Sequence, residues 1–158
     1  MTDRKDFEME SRVEKAKQLF TDGCNCAQAV AAAYADCFGM SFEDAMRASE
    51  AFGGGLGRLR RTCGAVSGMC MLVGLKYSKG QPNDLDTRAL IYEKVQYLVK
   101  RFEEMNSTSI CGDLLGENRP SDNGATPTAR SNEFYQKRPC IGCVEDCARL
   151  VEEVLLCD

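Results

Sequence analysis

Apolar residues recur along this chain at helical spacing, and nowhere do they alternate as a half-buried strand requires. Val13, Ala16, Leu19 and Phe20 mark one face of a first helix expected over 8–20, with charged residues opposite. Thr21-Asp22-Gly23 interrupts it. Asn25 is placed to cap an alanine-rich second helix over 26–38, which Gly39 closes. Ser41-Phe42-Glu43-Asp44 has the form of a capping box and opens a third helix running to 52. Thr62 is expected to cap a fourth helix over 63–77, so uniformly apolar or small that it reads as the buried central helix. Asp86 is expected to cap a fifth, to 105, in which Ile91, Val95, Leu98, Phe102 and Met105 form a core stripe. A short helical segment around Cys111 spans 109–115, and Pro139 suits the first turn of a last helix over 140–156. The predicted class is all-α, a compact single-domain helical bundle over 1–158.

Two stretches break the pattern. Gly53-Gly54-Gly55-Leu56-Gly57 cannot continue a helix cheaply, because glycine loses the most backbone entropy on ordering. Arg58, Arg60 and Arg61 follow it in a loop. No strand precedes this run and no Gly-Lys-Ser/Thr follows, so it is not a phosphate loop. The segment 117–132 is polar, contains Pro120, Gly124 and Pro127, and is expected to be a surface loop. Gly64-x-x-x-Gly68 predicts close helix packing inside the core.

Composition changes the picture at one point: the chain has ten cysteines and no histidine. Without histidine there is no Cys-His dyad, no Ser-His-Asp triad and no His-ligated metal or haem. The formal charge of -4 offers no basic surplus for nucleic acid, and no apolar run approaches membrane-spanning length. The opening Met1-Thr2-Asp3-Arg4-Lys5-Asp6 is charged and has no secretory hydrophobic stretch, so a cytoplasmic protein with reduced thiols is expected. Cysteines there serve as ligands, redox thiols or small core residues.

Cys26, Cys63 and Cys140 each stand where a helix should begin. Unpaired backbone N–H groups and the positive end of the helix dipole favour thiolate there, the form that attacks disulfides and holds metals. Cys63 is the strongest candidate, since it follows Arg58, Arg60 and Arg61. Cys140 follows Lys137-Arg138-Pro139, and Cys111 sits in a turn-like setting before Gly112. Cys24, Cys37, Cys70 and Cys157 read as packing residues. Cys143 and Cys147 complete Cys-x-x-Cys-x-x-x-Cys on one helix face, a spacing that suits metal ligation and a cysteine-lined buried face equally.

Taken in order, Asn25-Cys26-Ala27-Gln28-Ala29-Val30, Phe52-Gly53-Gly54-Gly55-Leu56-Gly57-Arg58, Cys63-Gly64-Ala65-Val66-Ser67-Gly68, Cys111-Gly112-Asp113-Leu114-Leu115-Gly116 and Lys137-Arg138-Pro139-Cys140 resemble the C_GCAxxG_C_C family of redox-active proteins. The resemblance covers about 13–156 and implies that the four cysteines naming the family are Cys26, Cys63, Cys111 and Cys140. A related module in split-Soret cytochromes implies an iron–sulfur centre and a homodimer; the haem-attachment residues are absent here. The first expectation is therefore an iron–sulfur cluster for electron transfer on Cys26, Cys63, Cys111 and Cys140, with Cys143 and Cys147 as further candidates. Arg58, Arg60 and Arg61 would offset its charge, while Gly54 and Gly55 would give backbone access. The alternatives are a metal-free thiol/disulfide protein, in which Cys63 attacks and Cys26 or Cys140 resolves, and a structural zinc site, for which only Cys140-x-x-Cys143 has the usual paired spacing. The expected partner is a redox protein, with no nucleic acid and no membrane.

Overall fold

Small residues decide how these helices meet. The computed structural model describes residues 10–122 and 124–157. Its helices are α1 (Val13–Thr21), α2 (Cys26–Tyr34), α3 (Phe42–Ser49), α4 (Gly64–Tyr77), α5 (Leu85–Asn106), α6 (Cys111–Leu115), α7 (Asn132–Lys137) and α8 (Cys140–Leu150). The described residues contain no strand, only one isolated antiparallel bridge between Thr62 and Ile110. The fold is all-α, and no described helix is long and apolar enough to cross a membrane.

The tightest contact is α2 on α4. A Cβ on Gly68 would lie 2.6 Å from the Ala27 carbonyl oxygen, and one on Gly64 would lie 3.0 Å from Phe52 O and 3.3 Å from the Cys26 Cβ. Glycine at these two positions lets the backbones approach to a distance that any side chain would prevent. α2 is buried from Ala27 to Tyr34 without interruption, and α4 buries Ala65, Val66, Met69, Leu72 and Val73. Two helices therefore share the centre, where one was expected. Around them α1 contributes Val13, Ala16 and Phe20, and α8 contributes Cys143, Val144, Cys147, Ala148 and Leu150. Burying a large apolar side chain contributes about 1.5–3 kcal/mol, so Phe20, Met69, Leu72, Leu98 and Phe102, each at most 1% exposed, dominate the core.

Several expected boundaries move. The first helix begins at Val13; positions 8 and 9 of the predicted span lie outside the described residues. The second ends as α-helix at Tyr34 and tightens to a 3-10 turn over Ala35–Phe38, closed by Gly39 at φ 84°. Cys63, not Thr62, is the N-cap of α4, because the Thr62 backbone is held in the bridge to Ile110. Asp84, not Asp86, caps α5, accepting from Thr87 N. The fifth helix buries only Leu98 and Phe102 of its predicted stripe; Ile91 and Val95 are half-buried and Met105 is 49% exposed. The last helix ends at Leu150 and continues as a π-helical turn over Val151–Leu155.

Candidate functional site

The N-terminal ends of four helices meet at one cavity of about 370 Å³. Cys26 is the first residue of α2, Cys63 caps α4, Cys111 opens α6 and Cys140 opens α8, and all four line the cavity together with Cys143. Each arrives by a local device legible in the chain. Asn25 accepts from Gln28 N while the Gln28 side chain accepts from Asn25 N at 3.0 Å, a reciprocal cap that starts α2 at Cys26. Gln28 Nε2 also donates to Met46 O, and Asn25 Nδ2 to Glu50 O, fixing this start on α3. The Gly64/Gly68 contact then sets Cys63 beside Cys26.

The glycine run builds the opposite wall. Gly54, Gly55, Leu56, Gly57, Arg58 and Arg60 all have positive φ, at 66°, 73°, 71°, 54°, 67° and 61°. A left-handed conformation costs a residue with a Cβ about 1–2 kcal/mol, and Leu56, Arg58 and Arg60 carry that strain. The turn is locked by Arg60 N to Gly54 O and Arg61 N to Gly55 O. It continues into the bridge, where Cys63 N donates to Ser109 O, Cys111 N to Arg61 O and Gly112 N to Arg60 O. Those bonds carry Cys111 onto the run, where a Cβ on Gly55 would come within 2.6 Å of the Cys111 Cβ.

Cationic side chains complete the cavity. Arg60 is only 8% exposed, and its Nη1 lies 3.7 Å from Cys111 Sγ. Arg58 donates to Asp122, Gly124 O and Thr128, and Arg138 to Thr128. Arg130 stands 4.5 Å from the rings of both Phe20 and Phe134 and donates to Phe20 O and Cys24 O. The segment expected as a surface loop thus supplies Ala125, Pro127, Thr128 and Arg130 to the cavity wall, though most of it is exposed. Arg61 faces solvent and is absent from the lining, because the bridge alternates its side chain away from that of Arg60.

The sulfurs that line the cavity perturb one another in pairs, Cys26 with Cys140 and Cys63 with Cys143. The neighbouring Cys143 thiol lowers the pKa of Cys63, and the first-turn N–H groups of α4 act in the same direction against burial. Cys140 is lowered to about 7 by the neighbouring Cys26 thiol, with help from Arg138, Arg130 and Arg60. Cys26 and Cys143 are raised in turn. Burial raises Cys111, and Arg60 opposes that shift. Cys147 is buried outside the cavity and raised by that burial, while burial pushes Cys70 up to about 11. Cys24, Cys37 and Cys70 are half-buried; Cys157, expected to pack, is exposed because it follows the last helical turn.

The structure therefore brings Cys26, Cys63, Cys111, Cys140 and Cys143 to one place, with Arg58, Arg60, Gly54 and Gly55, and leaves Arg61 and Cys147 outside it. It adds Arg130, which sequence reasoning did not select, and Arg138, which it noted only as the residue two before Cys140. The signal for Arg130 was present in the aromatic residues it meets, Phe134 and Tyr135. Among the described residues, no three His, Cys, Asp or Glu side chains gather as a single metal ion would need. That arrangement gives no support to a closed zinc site. A family model described as "Putative redox-active protein (C_GCAxxG_C_C)" matches residues 24–154. No curated protein and no solved structure matches.

Proposed function

Because the chain belongs to the C_GCAxxG_C_C family, whose model covers residues 24–154, we propose that its cavity holds an iron–sulfur cluster for electron transfer on Cys26, Cys63, Cys111 and Cys140. The observation that carries this reading is the convergence of four helix starts, each bearing a cysteine, on one arginine-lined cavity. The donor chemistry fits: such clusters are bound by thiolates and need no histidine. A cluster also spreads its ligands over several irons, so it does not require three side chains on one ion. When bound, it would take up and release single electrons.

The chain's own groups have definite tasks in this reading. The first-turn N–H groups of α4 stabilise negative sulfur on Cys63. A helix end favours an anion by about 0.3–1 kcal/mol, up to about 2 in partly buried geometry, and α2, α4 and α8 present such ends together. Arg60 and Arg138 add positive charge on the Cys111 and Cys140 sides. Net positive surroundings stabilise the reduced, more negative state and so raise the reduction potential. The wall of Phe134, Pro127 and Leu115 limits water at the sulfurs.

Protein isolated without oxygen should be brown, absorb in the visible and contain iron and acid-labile sulfide in equal amounts. A colourless, iron-free preparation that also resists reconstitution would refute the cluster. A second reading is favoured by Cys26 and Cys140 lining the same cavity and by the depressed Cys140: a metal-free dithiol that exchanges with a partner's disulfide. It is the reading that would survive that result.

A further inference from the structure

The cavity carries more positive charge than the protein itself answers. Arg58, Arg60, Arg130 and Arg138 all line it. Among the described residues, the only ion pair any of them makes is that of Arg58 with Asp122. Glu50, the one acidic residue in the lining, is exposed and pairs with none of them. Arg130 is held by Phe20 O and Cys24 O. Arg60 and Arg138 are left without a carboxylate. We propose that these two arginines and Thr128 form a binding site for a small oxyanion, either free phosphate or the carboxylate of a small organic acid.

Three observations carry the site. First, Arg60 is only 8% exposed, and a charged side chain is almost never buried that far unless it is paired. One of its donors reaches Cys111 Sγ at 3.7 Å, a long contact to a weak acceptor. Among the described residues, no buried side-chain nitrogen or oxygen lacks a partner. The remaining Arg60 donors are therefore reachable, and the space they reach is the cavity that Arg60 lines.

Second, Thr128 Oγ1 accepts from Arg58 Nη2 at 3.1 Å and from Arg138 Nη2 at 3.3 Å. A hydroxyl has two lone pairs and one proton, so both acceptor positions are filled and the O–H is left to donate. Thr128 also lines the cavity. Two guanidinium groups and a hydroxyl thus present donors to one space, a set that fits an anion and not a cation. Third, the space suits the ligand. The planar guanidinium fork matches the oxygens of carboxylate and phosphate. The volume of about 370 Å³ lies among those of small-molecule sites, about 300–1,000 Å³. Leu114, Leu115 and Pro127 in the wall offer apolar contact to an organic body. The site goes beyond the electron-transfer reading and does not rest on it, since neither arginine nor Thr128 is a ligand of the proposed cluster.

The test titrates full-length protein, isolated without oxygen, with sodium phosphate and with sodium benzoate in a calorimeter, against sodium chloride at matched ionic strength. Phosphate or benzoate should bind at a single saturable site, and the one that binds identifies the source of the oxyanion. Arg60→Gln and Arg138→Gln should each weaken binding about tenfold or more, the effect of losing a hydrogen bond to a charged group. Arg61→Gln, at an exposed side chain outside the cavity, should leave binding unchanged. No saturable binding of either anion, undiminished binding in both cavity variants, or an equal loss in Arg61→Gln would overturn the proposal. Should the cavity variants fail to fold, the wild-type protein decides. The bound anion should slow phenylglyoxal modification of Arg60 and Arg138 but not of Arg61, as mass spectrometry of the peptides would map. Equal rates with and without the anion would overturn the site. Iron and sulfide analysis is independent: a colourless protein that binds the anion refutes the cluster only, and a brown protein that binds neither anion refutes the oxyanion site only.

Discussion

The α2–α4 contact makes a quantitative prediction from two glycines on one helix. Gly68 and Gly74 both lie in α4, so replacing either with alanine removes backbone freedom from the unfolded chain and gains about 0.5–1 kcal/mol of helix stability. The sites differ in what the new methyl meets. At Gly74 nothing lies within 4 Å, so Gly74→Ala should keep the gain. At Gly68 the Cβ would sit 2.6 Å from Ala27 O, with Ala27 C and Cα at 3.3 Å. All three atoms are backbone and cannot rotate aside, so the helices must separate. Forcing extra volume into a packed core costs about 1–3 kcal/mol. Gly68→Ala should therefore fall between roughly neutral and about 2.5 kcal/mol less stable than the parent once the same gain is credited. It should be less stable than Gly74→Ala by about 1–3 kcal/mol, since the shared gain cancels between them. Urea unfolding followed by far-ultraviolet circular dichroism reads this as midpoint shifts at an unchanged slope. The same displacement moves Cys26 relative to Cys63, so Gly68→Ala should also lose iron on anaerobic purification while Gly74→Ala retains it. Equal or greater stability for Gly68→Ala than for Gly74→Ala would refute the close-packed contact and the account of how Cys26 is placed.

Four further outcomes follow from the site. Serine at Cys26, Cys63, Cys111 or Cys140 should each abolish bound iron, whereas serine at exposed Cys157 should leave iron content unchanged. In the iron-free protein, alkylation of Cys140 should rise with pH through a midpoint of about 7. Cys26→Ala, which removes the neighbouring thiol that lowers it, should move that midpoint upward, as mass spectrometry of the labelled peptide would record. Gly55→Ala places a methyl on the Cys111 Cβ at φ 73°, so left-handed strain of about 1–2 kcal/mol adds to overpacking of about 1–3, and denaturant melts should show a loss of 2 kcal/mol or more. Arg58 lowers the pKa of Asp122, so this pair contributes stability above the ordinary carboxylate pKa and loses it as pH falls through the depressed one; thermal melts of Asp122→Asn should converge with the parent in that acid range.

The helical class and the sulfur positions were legible because they rest on local signals. Alanine and glycine spacing, the Asn25 cap and the glycine break each act within one turn of chain, and a thiol at a helix start is read from the residues on either side. The misjudged features depend on what a segment packs against. Met105 continues the helical period of Leu98 and Phe102, yet it is Asn106 beside it that meets α8, donating to Asp146, and Met105 stays exposed. Thr62 is a good capping residue, but the pairing of its backbone with Ile110, 48 positions away, hands the cap to Cys63. Arg130 sits in a stretch of prolines and small polar residues that looks solvated. The rings of Phe20 and Phe134, one far upstream and one on α7, together with Phe20 O and Cys24 O, turn it into part of the site.

That same dependence explains why the cavity needs its polar segment. The sulfurs arrive on rigid helix ends, but three of the arginines facing them are held by the excursion and its neighbours. Asp122, Gly124 O and Thr128 fix Arg58; Thr128 also receives Arg138; and Arg130 is itself in the segment. Thr128 is thus shared between the Arg58 and Arg138 guanidinium groups. An exposed, loosely packed segment opens at low free-energy cost compared with the helical core. Displacing it would expose the sulfurs and release Arg58 and Arg138 in one motion. In the proposed redox reading, charge compensation at the sulfurs and their shielding from water are therefore both set by the few hydrogen bonds this segment makes.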